Sequence, residues 1–303
     1  MSLACATRAQ VTSAPHTADR ADQAAEKIGY RRERMNDRVR VTVDGAVAKV
    51  ALARPDKHNG VDFAMLRGVI AAQAQLRKRR DVRAVIVHGD GPSFCAGLDF
   101  KSVLARPLEA AVMATELWSP RRNVFQEWSM GWREVGAPVI AVVHGNCFGA
   151  GIQLALGADI RIAAPDARLS IMEAKWGLVP DMGGPTLLRE LVAIDVAKEL
   201  AMTGRIVHAA EAKALGLVTH VSDDPLAHAL RLAAEIETRS PDAVAAAKRL
   251  LQEAWTAGEG RALAAERRWQ RRLLGTSNQR AAVRGNQGNG SQREPAFGPR
   301  RIK

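Results

Sequence analysis

From Arg38 onward, Val39, Val41 and Val43 alternate with polar residues, Asp44-Gly45 supplies a two-residue turn, and an apolar-rich run resumes over Val47–Leu52. This period of two on either side of a glycine dipeptide predicts a β-hairpin. The loop ARPDKHNGVD (53–62) follows, and apolar positions at helical spacing then predict a helix over about Phe63–Leu76. Ala84–His88 is a short continuous apolar run of the kind that a parallel sheet buries on both faces, and the run from Val139 that ends at His144 reads the same way. Each run delivers the chain into a glycine-rich turn and a helix start, GDGPSFCAGLDFKSV (89–103) after the first and GNCFGAGIQLAL (145–156) after the second.

Between Arg106 and Trp132 the pattern is helical but loose, with Met113, Leu117, Trp118, Val124, Phe125, Trp128 and Met130 as core or pocket-lining candidates. Beyond Gly184 it changes to amphipathic helices, predicted over Pro185–Thr203, Ala209–Leu215, Pro225–Thr238, Pro241–Ala257 and Arg261–Leu274. Pro185, Pro225 and Pro241 stand where helices begin, and Gly204, Gly216, Gly258 and Gly275 where they end. The layout expected is a disordered extension over 1–36, an α/β core over 37–204, a helical region over 205–275 and a flexible basic tail over 276–303, which includes the low-complexity stretch GNQGNGSQ (285–292).

The chemistry suggested by the two turns is the same. Glycine lets another group approach the backbone, and free N–H groups at a helix start favour an anionic oxygen. Two such units, near Gly97 and near Gly149, place two N–H groups around one oxygen, which one turn cannot do. Downstream, Glu173 is a carboxylate in an apolar context, and Asp181 follows before Gly183-Gly184. A hole for an oxyanion beside a carboxylate suits proton transfer at the carbon next to a carbonyl. For single residues a plainer role stays open: Asp181 as a helix-start cap, Lys57 and His58 as solvated loop side chains instead of phosphate contacts.

Composition narrows this. The 303 residues are 47% apolar, yet no apolar run reaches the length of a membrane span, so no membrane partner is expected. Cys5, Cys95 and Cys147 lack the spacing of a zinc site or a disulfide framework; Cys95 and Cys147 read as buried small hydrophobes, in keeping with a reducing, cytoplasmic location. The first 36 residues have no apolar signal core and carry Asp19, Asp22, Glu26 and Glu33. The net charge of +12 raises nucleic acid as a partner, but aromatic residues are only 4% and much of the charge lies in the Arg31–Arg40 run and in the tail, which argues against a base-stacking surface.

Five segments, in order, resemble the crotonase, or enoyl-CoA hydratase/isomerase, superfamily. ARPDKHNGVD is similar to its RPxxxNA segment, GPSFCAGLDFKSV to FCAGxDL, VHGNCFGAGIQLALGADIRIA to GxxxGGGxELAxxxDIRxA, IMEAKWGLVPDMGG to PExxxGxxPxxGG, and GRIVHAAEAKALGLVTHV to GxxxxAxEAxxxGLVxxV. The resemblance spans about Val39–Trp255. It implies a spiral of ββα repeats with a helical C-terminal region used for trimerisation, as a homotrimer or a dimer of trimers. It implies an acyl-CoA thioester as ligand, with CoA as part of the substrate and neither metal nor separate cofactor. The positions matching the two oxyanion-hole residues are Leu98 and Ala150, flanked by Ala96, Gly97 and Gly149. Lys101 matches a position near the CoA adenine and phosphates and Lys57 a loop beside it, and Phe297 and Arg300 echo a terminal segment that reaches a neighbour's CoA. Asp99, which can brace its turn, and Asp159, which ends an apolar segment beside Arg161, read as structural.

The departures are informative. Hydratases of this family carry two glutamates around a water, whereas here the first position is Gln153 and only Glu173 is a carboxylate. A neutral amide orients water but cannot accept a proton. Asp181 matches a position that is acidic in the dienoyl-CoA isomerase branch, although that branch has an aspartate where Gln153 stands. The expectation is an enzyme of the hydratase/isomerase class working through an enolate-like intermediate, with Glu173 as base, Asp181 as its acid partner and Gln153 beside them. The alternatives are a dienoyl-CoA isomerase specifically, or a relative that binds acyl-CoA without turnover.

Overall fold

The computed structural model describes residues 31–287 and 296–302. In chain order its strands are β1 (Arg31–Asn36), β2 (Val39–Asp44), β3 (Val47–Leu52), β4 (Ala84–Gly89), β5 (Val139–Val143), β6 (Asn146–Phe148), β7 (Ile160–Ala163), β8 (Arg168–Ser170), β9 (Val207–His208) and β10 (His220–Val221). Seven of them form one sheet in the order β1-β2-β3-β4-β5-β7-β10, and β6-β8-β9 form a second. The β2–β3 hairpin pairs Val39 with Leu52 through Asp44 with Val47, so the Asp44-Gly45 turn has the expected register. From β3 through β7, and on to β10, neighbouring strands run parallel.

The continuous apolar run of β4 has a direct cause. Val85 and Val87 enter the main core with Trp128, Trp132 and Val139, while Ala84 and Ile86 face a second cluster built with Ile140, Val142 and Ile162. Both faces are therefore dry, and no polar alternation is possible.

The helices are α1 (Phe63–Lys78), α2 (Phe100–Leu104), α3 (Pro107–Ala114), α4 (Val124–Met130), α5 (Ala150–Leu156), α6 (Gly184–Leu188), α7 (Ile194–Thr203), α8 (Ala209–Ala214), α9 (Pro225–Glu237), α10 (Pro241–Ala254), α11 (Glu259–Leu273) and α12 (Ser277–Gln287). Ala229 and Ala233 of α9 seal the second core cluster. The helix expected over Pro185–Thr203 is two helices, because the chain leaves helical geometry before α7, where Ala193 is extended (φ −64°, ψ 150°).

Three boundaries differ from the sequence expectation. The extension expected over 1–36 lies outside the described residues up to 30, but residues 31–36 are strand β1, at the end of the large sheet. Its Arg-rich composition is that of a protected sheet edge and reads from sequence like an unfolded arm. The α/β part does not end at 204, because β9 and β10 complete the two sheets from within the region expected to be helical. The tail expected to be flexible over 276–303 contains α12 and a strap over 296–302; residues 288–295, within the low-complexity stretch and just after it, lie outside the described residues. Buried Asp242 holds the strap: Oδ1 accepts from the amides of Arg301 (2.6 Å) and Ile302 (3.0 Å), and Oδ2 from Asn278 Nδ2 (2.8 Å).

Candidate active site

The two glycine turns meet. The amide of Phe94 donates to His144 O (2.8 Å), that of Cys95 to Asn146 O (2.9 Å) and that of Phe148 to Cys95 O (3.0 Å), so the segments run side by side into their helices. Gly97 (φ 92°) lies against the second turn so closely that a Cβ there would stand 2.8 Å from Phe148 O and 3.8 Å from Ala150 N. Gly149 turns the chain with φ 51° and ψ −118° directly into α5, whose first residue is Ala150. Such a backbone suits glycine alone.

The neighbouring amides are already bonded, that of Ala96 to His58 O, that of Asp99 to Val61 O and that of Gly149 to Ser170 O. Among the described residues, the amides of Leu98 and Ala150 carry no such bond. Both residues line one cavity of about 300 Å³, and Glu173, Asp181 and Gln153 line it too. Its remaining wall is largely apolar, with Leu66, Met113, Leu117, Phe125 and Met182 among the contributors. At its mouth Phe100 and Trp176 stack at a tilt, ring centroids 4.5 Å apart.

Glu173 is 9% exposed and its Oε2 is buried with no hydrogen-bond partner. Burial pushes its carboxyl above the usual glutamate range; hydrogen bonds from its own backbone and from Gln153 act the other way, and the charge of Asp181 adds to the rise. Asp181 sits on the open side of the cavity, where the surrounding protein also raises its carboxyl, against a lowering backbone bond of its own. The capping role left open for Asp181 is not what the structure has, since Gly183 occupies the N-cap of α6 and no side chain caps it. Gln153 is 1% exposed; its Nε2 donates to Glu173 Oε1 at 2.7 Å, and its Oε1 accepts from the amides of Met182 and Gly184, both at 2.9 Å.

Lys57 and Lys101 line a neighbouring open depression of about 530 Å³, which shares Ala96, Gly97 and Leu98 with the first cavity. The Gly97 turn is thus the common wall of an apolar chamber and a polar one, which Asp56 and Asp99 line along with the two lysines. Phe297 and Arg300 do not join either cavity. Phe297 lies under the Arg83 guanidinium, 5.6 Å from it, and Arg300 is 3% exposed, donating to Arg79 O (2.8 Å) and Val82 O (3.4 Å). With Nη1 and Nη2 on these carbonyls and Nε buried without a partner, Arg300 is a strut for the strap in this chain.

Two residues the sequence reading passed over hold the first turn. Arg54, 6% exposed, pairs with Asp99 (2.9 Å) and donates to Gly60 O and Ser102 Oγ. Although burial pushes Asp99 up, its hydrogen bonds from Ser102 and Arg54 keep its carboxyl below the usual range. Asn59, fully buried at φ 54°, accepts from Arg54 N and donates to the carbonyls of Asp90 and Ser93. The Asn-Gly pair at 59–60 was the available signal, since Asn tolerates left-handed backbone better than most residues. Asp159 is structural as expected: it accepts from Val139 N (2.7 Å) and pairs with buried Lys248 (2.7 Å). Cys95 and Cys147 are buried free thiols, Cys95 pushed up to about 12 by burial.

Residues 42–299 match the enoyl-CoA hydratase/isomerase family model. The chain belongs to the enoyl-CoA hydratase/isomerase family. It is 34% identical over 206 residues to the enoyl-CoA hydratase EchA19 of Mycobacterium tuberculosis, covering 67% of this chain and 76% of that one. It is 35% identical over 210 residues to the mitochondrial Delta(3,5)-Delta(2,4)-dienoyl-CoA isomerase of Homo sapiens, covering 67% and 64%. The crystal structure of an enoyl-CoA hydratase from Polaromonas sp. JS666 superposes with a TM-score of 0.77 at 31% identity, covering 86% of this chain and 99% of that one. The crotonase fold and the acyl-CoA-processing class follow. Among the described residues no helix is long and apolar enough to cross a membrane.

Proposed function

We propose that this family member shifts double bonds in an acyl-CoA thioester, with Glu173 and Asp181 as the two proton-transfer groups. The observation that carries the reading is the pair of carboxylates on one apolar cavity, beside two unbonded amides, with a neutral amide where the hydratase pattern has its other acid. The thioester oxygen binds the amides of Leu98 and Ala150. Preorganised donors of this kind stabilise a developing oxyanion by about 3 kcal/mol each. The Glu173 carboxylate takes a proton from carbon, the charge passes through the conjugated system to the thioester oxygen, and protonated Asp181 returns a proton further along the chain. Both carboxyls are raised by burial, which helps one to hold a proton while the other is ionised. The reaction is redox-neutral, so its chemistry calls for no electron acceptor.

The CoA head fits the open depression, with Lys57 and Lys101 toward its phosphates and Ala96, Gly97 and Gly149 letting the thioester approach the backbone. Exposed Leu251, Trp255, Leu263 and Leu274 on or just after α10 and α11 support assembly as a trimer or a dimer of trimers. Buried free Cys95 and Cys147 support a reducing, cytoplasmic setting.

The test is a substrate panel. The purified protein is offered 2-enoyl-, 3-enoyl- and 3,5-dienoyl-CoA, and product formation is followed by ultraviolet absorbance and mass spectrometry. Double-bond migration exceeding hydration supports the reading, and hydration of 2-enoyl-CoA as the faster reaction overturns it.

A further inference from the structure

We propose that Gln153 is a positioning residue whose locked amide fixes the Glu173 carboxyl beside the second glycine turn and sets this site against the addition of water. The inference rests on the reading of Glu173 as the base, and deepens it.

The lock follows from counting donors and acceptors. A carboxamide oxygen has two lone pairs, and both of those on Gln153 Oε1 are occupied by backbone N–H groups, Met182 and Gly184, each at 2.9 Å. Turning the amide over would set its NH2 against two N–H donors and its oxygen against the Glu173 carboxylate, losing all three bonds. At 1% exposure, water cannot replace them. The orientation with Nε2 toward Glu173 Oε1 is therefore fixed by the protein.

Three consequences follow. First, the Gln153 bond holds Glu173 Oε1 beside the second turn, 3.5 Å from where a Cβ on Gly149 would stand, while Oε2 is buried. Oε1 keeps a second lone pair for a proton. Second, the two amides that Gln153 grips flank Gly183, immediately after Asp181, so one side chain joins the base to the segment carrying the second carboxylate. Third, Gln153 offers a water no free lone pair, so a water adding to a double bond has no acceptor at 153 and must compete for Glu173, where a carboxylate at 153 would supply a second acceptor.

Gln153→Glu is a shape-conserving probe. Its carboxylate oxygen keeps the two amide donors, while its other oxygen meets Glu173 Oε1 at the former hydrogen-bond distance, and two carboxylates that close must share a proton. The other charged groups on the cavity wall are Asp181 and Asp62, the latter already paired with Arg38 and Arg54. The substitution therefore adds one titrating group to the base and leaves the rest of the wall unchanged.

The experiment measures kcat, KM and the pH profile of double-bond migration, and hydration of 2-enoyl-CoA, for wild type, Gln153→Glu, Gln153→Met and Glu173→Gln. For Gln153→Glu the acidic limb of kcat/KM should move up by about one pH unit or more, and the ratio of hydration to migration should rise at least about tenfold. Gln153→Met keeps the length without the bonds, and should lower kcat by about ten- to hundredfold with KM within about threefold. An unmoved acidic limb and ratio in a folded Gln153→Glu protein, or wild-type kcat in Gln153→Met, would overturn the inference. Its failure is distinct from that of the reading beneath it: turnover surviving in Glu173→Gln removes the base itself, whatever Gln153 does.

Discussion

The two glycine turns each bring an amide with no backbone partner to one cavity, yet they are held in opposite ways. The turn at Gly149 is held by packing and buried bonds: α5 is buried along its whole length, and Gln153 ties it to Glu173 and to the 182–184 backbone. The turn at Gly97 opens onto α2, which has no buried residue, and it is held instead by ions, through Arg54, Asp99, Asp62 and Ser102. A preorganised donor needs a rigid support but not a particular kind of support. Where the helix behind the amide is buried, packing fixes it; where it faces the open depression, charge does.

Glu173→Gln attacks the packed side and has the largest expected effect, a fall in kcat of about 10²–10⁴ with the fold intact, read by steady-state turnover and circular dichroism. Gly97→Ala tests the seam between the turns. The added Cβ meets Phe148 O at 2.8 Å on a backbone with φ 92°, so both amides shift and kcat should fall about 10²-fold or more. A smaller effect is expected from Asp99→Asn, which weakens the ionic support alone: a loss of about tenfold, increased by high salt for the variant relative to wild type. If Asp99→Asn costs as much as Gly97→Ala, the contrast between the two supports is wrong.

The smallest effect is on stability. Burial raises the Glu173 carboxyl, so the folded protein keeps its proton to higher pH than the unfolded chain does. Stability from this group is full below the ordinary glutamate pKa and is lost as pH rises through the folded value. Glu173→Gln should therefore melt higher than wild type at neutral pH, by roughly a few degrees, and the gap should close on acidification.

The turns were readable from the sequence because glycine spacing and apolar runs are local signals, and Leu98, Ala150 and Glu173 could be named before any coordinates. The role of Gln153 was not readable, because its three partners come from segments distant in sequence and its chemistry is decided by which of them donates. The strap failed for a related reason. The strap Ala-Phe-Gly-Pro-Arg-Arg-Ile (296–302) looks unstructured until Asp242 and Asn278, far earlier in the chain or across the gap, supply its bonds. Strand β1 was hidden by the charge that suits a sheet edge.

The central claim is that one thioester oxygen sits between the Leu98 and Ala150 amides with the Glu173 carboxylate facing the adjacent carbon. A crystal structure with a non-reactive amide or methylene-ketone analogue of an acyl-CoA, keeping that carbonyl, tests it most directly. The account predicts the oxygen within about 2.7–3.2 Å of both amide nitrogens and a Glu173 carboxylate oxygen against the neighbouring carbon. A carbonyl bound elsewhere, or held by one amide with Glu173 turned away, would contradict it.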